Sequence, residues 1–176
     1  MGTLQCPSCG TVHGEGETDY FALLGVRRGF KVDVKSAESK YKKLQFLVHP
    51  DRKQADAPED YCALLNEAIA TLKNPLKRAD HLLKLHGIEE TSETERVQDM
   101  SLLMEIMDLN EEIDDATNDR QALESKLDSL QKKLEASEQR IADLYDRQML
   151  GDVKQETDRM RFFVRALQRV QELLRY

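Results

Sequence analysis

A leucine-rich seam in the second half of the chain constrains the fold more than any other feature of the sequence. Mostly apolar residues recur there at alternating spacings of four and three, at Leu123, Leu127, Leu130, Leu134, Ser137, Ile141, Leu144 and Gln148. This spacing places them on one side of a helix, and such a side is stable only when it is buried against other helices. Gly151 is predicted to end this helix. The pattern resumes in a final helix, at Val153, Thr157, Met160, Val164, Leu167, Gln171 and Leu174.

A third helix can cover this predicted hairpin, because the stretch from Met100 to Ile113 is largely apolar. The alternative is a free-standing coiled coil of two helices. Three helices bury the seam more completely, so we predict a three-helix bundle over residues 99–176. Of the 176 residues, 34% are charged, and the chain has only 8 Gly, 4 Pro and no Trp. This composition favours helix throughout, and we predict an all-α fold.

A lysine-bearing amphipathic helix is predicted upstream, over residues 33–49. Its apolar side consists of Ala37, Tyr41, Leu44 and Val48. Its other sides carry Lys35, Lys40, Lys42 and Lys43. Pro50 disfavours helical geometry at His49, so the tripeptide His49-Pro50-Asp51 should lie on a loop. The tripeptide alone could be an ordinary turn. A catalytic dyad is disfavoured, because no serine, cysteine or threonine stands in a recognisable nucleophile motif.

Two further helices complete the predicted first domain, residues 19–87. One should pack antiparallel to the lysine-bearing helix through Leu65, Ala68, Ile69 and Leu72. Asn74 and Pro75 form a helix start, with asparagine as the cap, and Gly87 is a natural stop. Residues 88–98 are predicted to be the linker between domains, and residues 92–95 fit a capping box for the next helix.

The helix near residue 100 carries two apolar stripes, which is more than one buried face needs. The first is Leu102, Ile106, Leu109 and Ile113, and the second is Leu103, Met104 and Met107. If the first stripe faces the bundle, the second stays partly exposed beside Asp108, Glu111 and Asp115. Exposed apolar area with a charged rim is typical of a surface that binds another protein. The alternative is that both stripes are buried, one of them against the first domain.

Charge is unevenly distributed along the chain. The formal net charge of −7 falls within residues 92–176, because acidic and basic side chains are equal in number over residues 1–91. An acidic second half argues against binding to nucleic acid and favours a partner with basic patches. No apolar run is long enough to cross a membrane.

Three cysteines, Cys6, Cys9 and Cys62, cannot form a disulfide framework, and an odd count suits a reducing compartment. Residues 1–18 contain no basic residue and no apolar core, so they are neither a secretory signal nor an intact mitochondrial presequence. Cys6 and Cys9 form half of a zinc knuckle, which supplies two of the four ligands that zinc requires. A redox pair is the alternative. Cys62 is predicted to be an ordinary core residue.

From residue 19 onwards the motifs resemble the HscB family of iron–sulfur co-chaperones, whose first domain is a J domain. Three J-domain motifs match, at residues 19–25, 41–51 and 65–72. Residues 74–87 match a more specific signature that many J domains lack. The resemblance continues through residues 102–113 and ends at 160–163, so it spans nearly the whole chain after residue 18.

The resemblance implies a binding protein and not an enzyme. Such a protein would dock to a heat-shock-class ATPase chaperone of the DnaK/HscA type and trigger its ATP hydrolysis. The residues implied in chaperone binding are His49, Pro50, Asp51, Lys40, Lys42, Lys43, Arg52 and Lys53. A second site would hold the iron–sulfur cluster scaffold protein for delivery, through Leu103, Met104, Met107, Asp108, Glu111, Asp115 and Phe162. Aspartate stands at acidic positions where the family often has glutamate, which keeps the charge and shortens the reach.

This role requires no cofactor, because the cluster belongs to the scaffold. Eukaryotic members commonly carry a double CxxC knuckle before the J domain, and only its second half matches here. Zinc at Cys6 and Cys9 would therefore need His13, another chain or further N-terminal residues. The mitochondrial matrix is the expected location, with the bacterial or eukaryotic cytoplasm as the alternative. Two other functions stay open: a J-fold structural subunit of a larger complex, and a metal or redox protein acting through the CxxC pair.

Overall fold

Helices make up almost all of the regular structure. A computed structural model of the protein describes residues 4–5, 12–13, 18–48, 59–90, 92 and 100–175. The predicted all-α fold is confirmed, with one small addition within these residues: an antiparallel ladder pairs Leu4 with His13 and Gln5 with Val12. The chain divides into two units, Met1–Ile88 and Glu89–Tyr176. No helix among the described residues is both long enough and apolar enough to cross a membrane.

The first unit contains two short strands and four helices in its described part. In chain order they are β1 (Leu4–Gln5), β2 (Val12–His13), α1 (Tyr20–Leu23), α2 (Val34–Val48), α3 (Glu59–Lys73) and α4 (Pro75–Leu85). The predicted lysine-bearing helix is α2, and the two helices predicted to follow it are α3 and α4.

Asp19 fixes the start of α1. Its carboxylate accepts hydrogen bonds from the backbone N–H groups of Phe21 (2.9 Å) and Ala22 (3.2 Å), which have no partner within the helix. Burial raises the pKa of Asp19, but the hydrogen bond and charge of Arg28 and the two N–H groups outweigh burial and lower it. Because the folded pKa lies below the unfolded one, this carboxylate stabilises the fold at neutral pH. The contribution is lost as the pH falls through the folded pKa.

His81 ties α4 to α1 from a buried position. Its Nε2 atom accepts a hydrogen bond from the backbone N–H of Tyr20 at 3.2 Å, and the two rings stack with their centroids 4.3 Å apart. An imidazole nitrogen that accepts a hydrogen bond carries no proton. His81 therefore acts as a structural residue of the first unit.

Helices α2 and α3 form the antiparallel hairpin that the sequence predicts. Ala37 of α2 is buried, and so are the four apolar residues predicted for α3: Leu65, Ala68, Ile69 and Leu72. The Tyr41 hydroxyl donates to Asn66 Oδ1 at 2.6 Å, and Glu38 forms an ion pair with Lys73. From Glu38 to Tyr41 the residue number increases along α2, while that of the contacted residue on α3 decreases from Lys73 to Asn66. The two helices are therefore antiparallel.

Both ends of α4 follow the prediction. The Asn74 side chain caps the first turn. At the other end Gly87 has a φ of +73°, its N–H donates to the Lys84 carbonyl, and the Ile88 N–H donates to the Leu83 carbonyl. These two bonds form a Schellman motif, in which glycine accommodates the left-handed backbone at no steric cost.

The second unit contains the predicted bundle of three helices. They are α5 (Met100–Asp115), α6 (Arg120–Asp146) and α7 (Leu150–Leu173). All three helices and the turn after α5 contribute to one core, made of Leu109, Ile113, Ala116, Leu123, Leu130, Phe163, Ala166 and Val170. Of the predicted capping box only Ser92 lies among the described residues.

The turn between α6 and α7 differs from the prediction. Gly151 does not end the long helix, because it lies in the first turn of α7. Gln148 follows α6 with a φ of +60°, and the N–H of Met149 donates to the Leu144 carbonyl at 3.0 Å. This is the same capping geometry as at Gly87, with a residue that has a Cβ in the left-handed position. The left-handed residue of the turn is therefore three residues before the predicted glycine.

Replacing Gln148 with glycine should stabilise the second unit by about 1 kcal/mol. A left-handed residue with a Cβ is strained by about 1–2 kcal/mol, and glycine removes this strain. Part of the stabilisation is lost because glycine gives the unfolded chain more conformational entropy. Thermal unfolding followed by circular dichroism should show a midpoint roughly 4–8 °C higher for this unit. Gln148→Ala is the matched control, since alanine keeps the Cβ. An equal gain for both variants would show that strain at this position is not the cause.

The buried side of α7 also departs from the predicted seam after Met160. The residues buried there are Phe163, Ala166 and Val170. The predicted positions Val164, Leu167 and Leu174 are half-buried, and Gln171 is exposed. Here α7 contributes to a core that it shares with α5 as well as α6, so its buried side turns towards both neighbours. A strict spacing of four and three assumes one partner helix.

Candidate functional site

The α2 lysines predicted to bind the chaperone are Lys40, Lys42 and Lys43, and two of them are exposed. Lys42 and Lys43 stand in solvent. Lys40 is half-buried, and its ammonium donates a hydrogen bond to the carbonyl of Gly25. This contact ties α2 to the turn after α1. Lys40 therefore has a structural contact that the sequence-based grouping of the lysines did not include.

Two large apolar side chains lie on the same exposed part of α2. Phe46 is 62% exposed and Leu47 is 59% exposed. Phe46 follows Lys42 by four residues and Lys43 by three, so it lies beside both on the helix surface. It also lies opposite the buried Ala37, nine residues earlier. Neither Phe46 nor Leu47 was among the predicted site residues, although helical spacing from Ala37 places Phe46 on the outer side.

The remaining residues predicted to bind the chaperone lie outside the described part of the chain. They are His49, Pro50, Asp51, Arg52 and Lys53. The helix α2, with its basic face, runs up to Val48. The face formed by Lys42, Lys43 and Phe46 therefore lies within two turns of the tripeptide in sequence.

The two stripes of α5 face in different directions. Leu102, Leu109 and Ile113 of the first stripe are buried, and Ile106 is half-buried. On the other side Met104 and Met107 are 62% and 61% exposed, and Leu103 is half-buried. Met100, which was not among the predicted stripe residues, is exposed on the same side. Within the second unit α5 therefore buries only the first stripe. We call Met100, Met104 and Met107 the methionine face.

Acidic residues of α5 fall into two groups. Those near the neighbouring helices form ion pairs: Glu105 with Arg159, Glu112 with Lys126 and Asp114 with Arg169. The hydrogen bond and charge of Lys126 lower the pKa of Glu112. The predicted rim residues are Asp108, Glu111 and Asp115. All three are exposed beside the methionine face, and none of them forms an ion pair with another described residue of the bundle. Charges left unpaired in this way are available to a basic partner.

Phe162 lies at the border between α7 and α5. It is half-buried, whereas its neighbour Phe163 is buried in the core. Seven residues later, on the same side of α7, Arg169 contacts Asn110 and Asp114 of α5. Helices α5 and α7 both run antiparallel to α6 and are therefore parallel to each other. A position two turns before Arg169 on α7 thus lies near the positions two turns before Asn110 and Asp114 on α5. Phe162 is thus placed at about the level of Leu103 and Met107, with the Arg165 guanidinium 5.8 Å from its ring centroid.

No metal-binding group of three or more His, Cys, Asp or Glu side chains occurs among the described residues. Cys6 and Cys9 lie outside them. Cys62 of α3 is half-buried and not fully in the core.

Comparison with known families places both units. A model described as the HSCB C-terminal oligomerisation domain matches residues 98–171, and a DnaJ domain model matches residues 19–81. The human iron–sulfur cluster co-chaperone protein HscB is 33% identical over 167 residues, covering 90% of this chain and 70% of the human protein. The chain belongs to the HscB family. The resemblance predicted from the motifs is confirmed.

Other HscB relatives and solved structures agree. An Arabidopsis thaliana HscB homolog is 32% identical over 95% of this chain and 68% of its own length. The crystal structure of human HscB superposes with a TM-score of 0.81 at 31% identity, covering 95% of this chain and 88% of that one. HscB from Vibrio cholerae gives 0.79 at 27% identity, covering 88% and 96%. The Jac1 co-chaperone from Saccharomyces cerevisiae, at 20% identity and a TM-score of 0.76, supports the fold alone.

Proposed function

We propose that this HscB-family chain is a co-chaperone that uses two separate surfaces to bring an iron–sulfur cluster scaffold protein to an Hsp70-type ATPase chaperone. The first unit binds the chaperone through the His49-Pro50-Asp51 loop and the exposed face of α2. The second unit holds the scaffold through the methionine face, its acidic rim and Phe162. Holding one partner beside the other raises the local concentration of the scaffold at the chaperone.

The chaperone surface combines charge with an apolar centre. Lys42 and Lys43 steer the encounter towards an acidic surface, and Phe46 between them supplies area that loses water on contact. Arg52 and Lys53 extend the positive charge past the loop. Lys40 contributes less, because its ammonium is held by Gly25.

The exposure of Met104 and Met107 is the observation that carries the scaffold site. The same helix buries Leu109 and Ile113, so α5 is fully anchored in the bundle without these methionines. Exposed flexible apolar side chains beside unpaired carboxylates suit a partner that has apolar residues within a basic surface.

The test is a three-component binding and activity experiment. Purified chain, a purified iron–sulfur scaffold protein and a purified Hsp70-type chaperone are mixed, and ATP hydrolysis is measured with and without each component. We expect the chain to stimulate hydrolysis, and to do so more strongly when the scaffold is present. A chain that binds the scaffold but leaves hydrolysis at the chaperone's own rate would point instead to a J-fold structural subunit.

The chain supplies no catalytic chemistry of its own in this proposal. ATP is hydrolysed by the chaperone, and the cluster is cargo carried by the scaffold. We place the protein in the mitochondrial matrix, with the bacterial or eukaryotic cytoplasm as the alternative. The odd cysteine count supports a reducing compartment, which both locations provide.

Removing Lys42 and Lys43 should slow association with the chaperone and leave dissociation nearly unchanged. For the Lys42→Ala, Lys43→Ala double variant we expect an association rate roughly three- to tenfold lower at low ionic strength. The difference should be smaller at high salt, because salt screens the attraction between exposed charges. Stopped-flow or surface-plasmon measurements over a salt series check this. Lys132→Ala, an exposed lysine on α6, is the control. An equal loss at every salt concentration would mean that the two lysines make buried contacts.

Zinc at Cys6 and Cys9 is a separate proposal. The paired strands β1 and β2 bracket the two cysteines in sequence, and His13 in β2 is a candidate third ligand. Zinc needs four ligands, so about one zinc per chain is expected only where a ligand from another chain or from further N-terminal residues joins Cys6, Cys9 and His13. Elemental analysis of the purified chain measures the metal content, and Cys6→Ser should reduce it towards zero. Cys62→Ser is the control and should keep the metal. Metal-free protein with an oxidised Cys6–Cys9 pair would favour the redox alternative.

A further inference from the structure

Oxidisable side chains supply the most exposed part of the methionine face. Met100, Met104 and Met107 are 65%, 62% and 61% exposed. On an α-helix, positions separated by four and three residues lie within a sector of about 60°. The three thioethers therefore share one narrow side of α5, facing solvent.

Leucine would serve equally well if apolar area were the only requirement, since leucine and methionine have similar volume and helix propensity. Methionine differs in chemistry. Its sulfur lone pair can attack a peroxide, which breaks the O–O bond, forms an S=O bond and releases water or hydroxide. The sulfur is oxidised by two electrons and the peroxide is reduced by two.

We propose that the methionine face is an oxidation site at which a peroxide-class oxidant converts the thioethers to sulfoxides and thereby releases the scaffold protein. This inference rests on the proposed scaffold site. A sulfoxide is strongly polar, so burying it in an apolar contact without a hydrogen-bond partner opposes binding. Methionine sulfoxide reductases reverse the change, which would make the release switchable.

The bundle itself should tolerate the oxidation. The three sulfurs lie on the side of α5 that does not pack, whereas Met160 in α7 is 2% exposed and lies in the core. Peroxide reaches the exposed methionines first, and their oxidation leaves the buried seam intact. The chain thus carries two internal references: Met160 reports damage to the core, and Met149, exposed at the turn between α6 and α7, reports oxidation away from the proposed site.

The experiment treats the full chain with hydrogen peroxide, removes the peroxide, reduces thiols with dithiothreitol, and then measures binding to a purified iron–sulfur scaffold protein. Peptide mass spectrometry identifies the oxidised methionines. We expect sulfoxide at the methionine face and Met149 but not at Met160, a thermal midpoint close to that of untreated protein, and a scaffold affinity roughly tenfold or more lower. Methionine sulfoxide reductase should restore the affinity. Dithiothreitol alone should not, which separates this effect from cysteine oxidation.

Two variants define the site. In Met100→Leu with Met104→Leu and Met107→Leu, the ratio of affinities before and after peroxide should be near one, whatever the starting affinity. In Met149→Leu the ratio should stay as large as in the unaltered chain. The inference is overturned if protein with sulfoxide at the methionine face binds the scaffold as well as untreated protein, or if the reductase does not restore lost binding. Failure of the untreated chain to bind the scaffold would instead overturn the proposed function.

Discussion

Truncating Met104 and Met107 to alanine should weaken scaffold binding by about 30-fold or more and leave the fold unchanged. Removing a central anchor of a protein interface commonly costs ~2 kcal/mol or more of binding, whereas shortening an exposed side chain changes stability by about 0.5 kcal/mol or less. Isothermal titration with the scaffold and thermal unfolding of the free variant give the two numbers. Both side chains point away from the bundle, so the two measurements should separate cleanly.

Two controls bracket this result. Met149→Ala removes an exposed methionine outside the proposed site and should bind normally. Ile113→Ala removes a fully buried side chain of the same helix and should cost about 2–5 kcal/mol of stability. If the Met104 and Met107 double variant melts early like Ile113→Ala while its folded fraction binds the scaffold normally, these methionines are structural and the scaffold binds elsewhere.

Changing His49 to glutamine should abolish stimulation of the chaperone's ATP hydrolysis without unfolding the protein. The residue directly follows α2, whose buried residue in the described part of the helix is Ala37. A loop substitution of this kind is expected to shift stability by about 0.5 kcal/mol or less. Steady-state ATP hydrolysis at saturating chain, with circular dichroism of the variant, checks both parts.

Scaffold binding by the same variant is the internal control, because the proposed scaffold site lies in the other unit. A His49→Gln protein that binds the scaffold and still stimulates hydrolysis normally would remove the tripeptide from the proposed mechanism. Phe46→Ala adds a graded comparison. We expect it to weaken chaperone binding while leaving maximal stimulation largely intact, since Phe46 contributes contact area and not the trigger.

Much of the fold could be predicted from the sequence, because local signals and buried periodicity agree. The cap at Asn74 and the stop at Gly87 each depend on residues within one helical turn. The apolar side of α3 follows from regular spacing within a single helix. The three-helix bundle followed from the leucine seam and the apolar stripes of α5.

The errors arose where geometry depends on neighbours distant in sequence. Gln148 takes the left-handed position that glycine usually occupies, so composition pointed to Gly151. The buried side of α7 turns towards two helices, which a single-seam pattern cannot show. Lys40 looked like any other lysine of a basic face until its contact with Gly25 became visible.

The candidate site was predicted in part. Periodicity identified two stripes on α5 but could not decide whether the second was exposed or buried against the first domain. The structure gives the exposure of Met104 and Met107, and it adds Met100, Phe46 and Leu47 as exposed apolar residues that the pattern alone did not single out.

The central claim is that one chain must carry both surfaces to bring the scaffold to the chaperone. Its most direct test mixes the His49→Gln variant with the Met104→Ala, Met107→Ala variant in equal amounts, together with scaffold and chaperone, and measures ATP hydrolysis. Each variant keeps one of the two functions. The scaffold-dependent increase seen with the unaltered chain should be absent from the mixture, because binding to the two partners then occurs on different molecules. Full recovery of that increase by the mixture would contradict the account, since it would show that the two activities need not be linked.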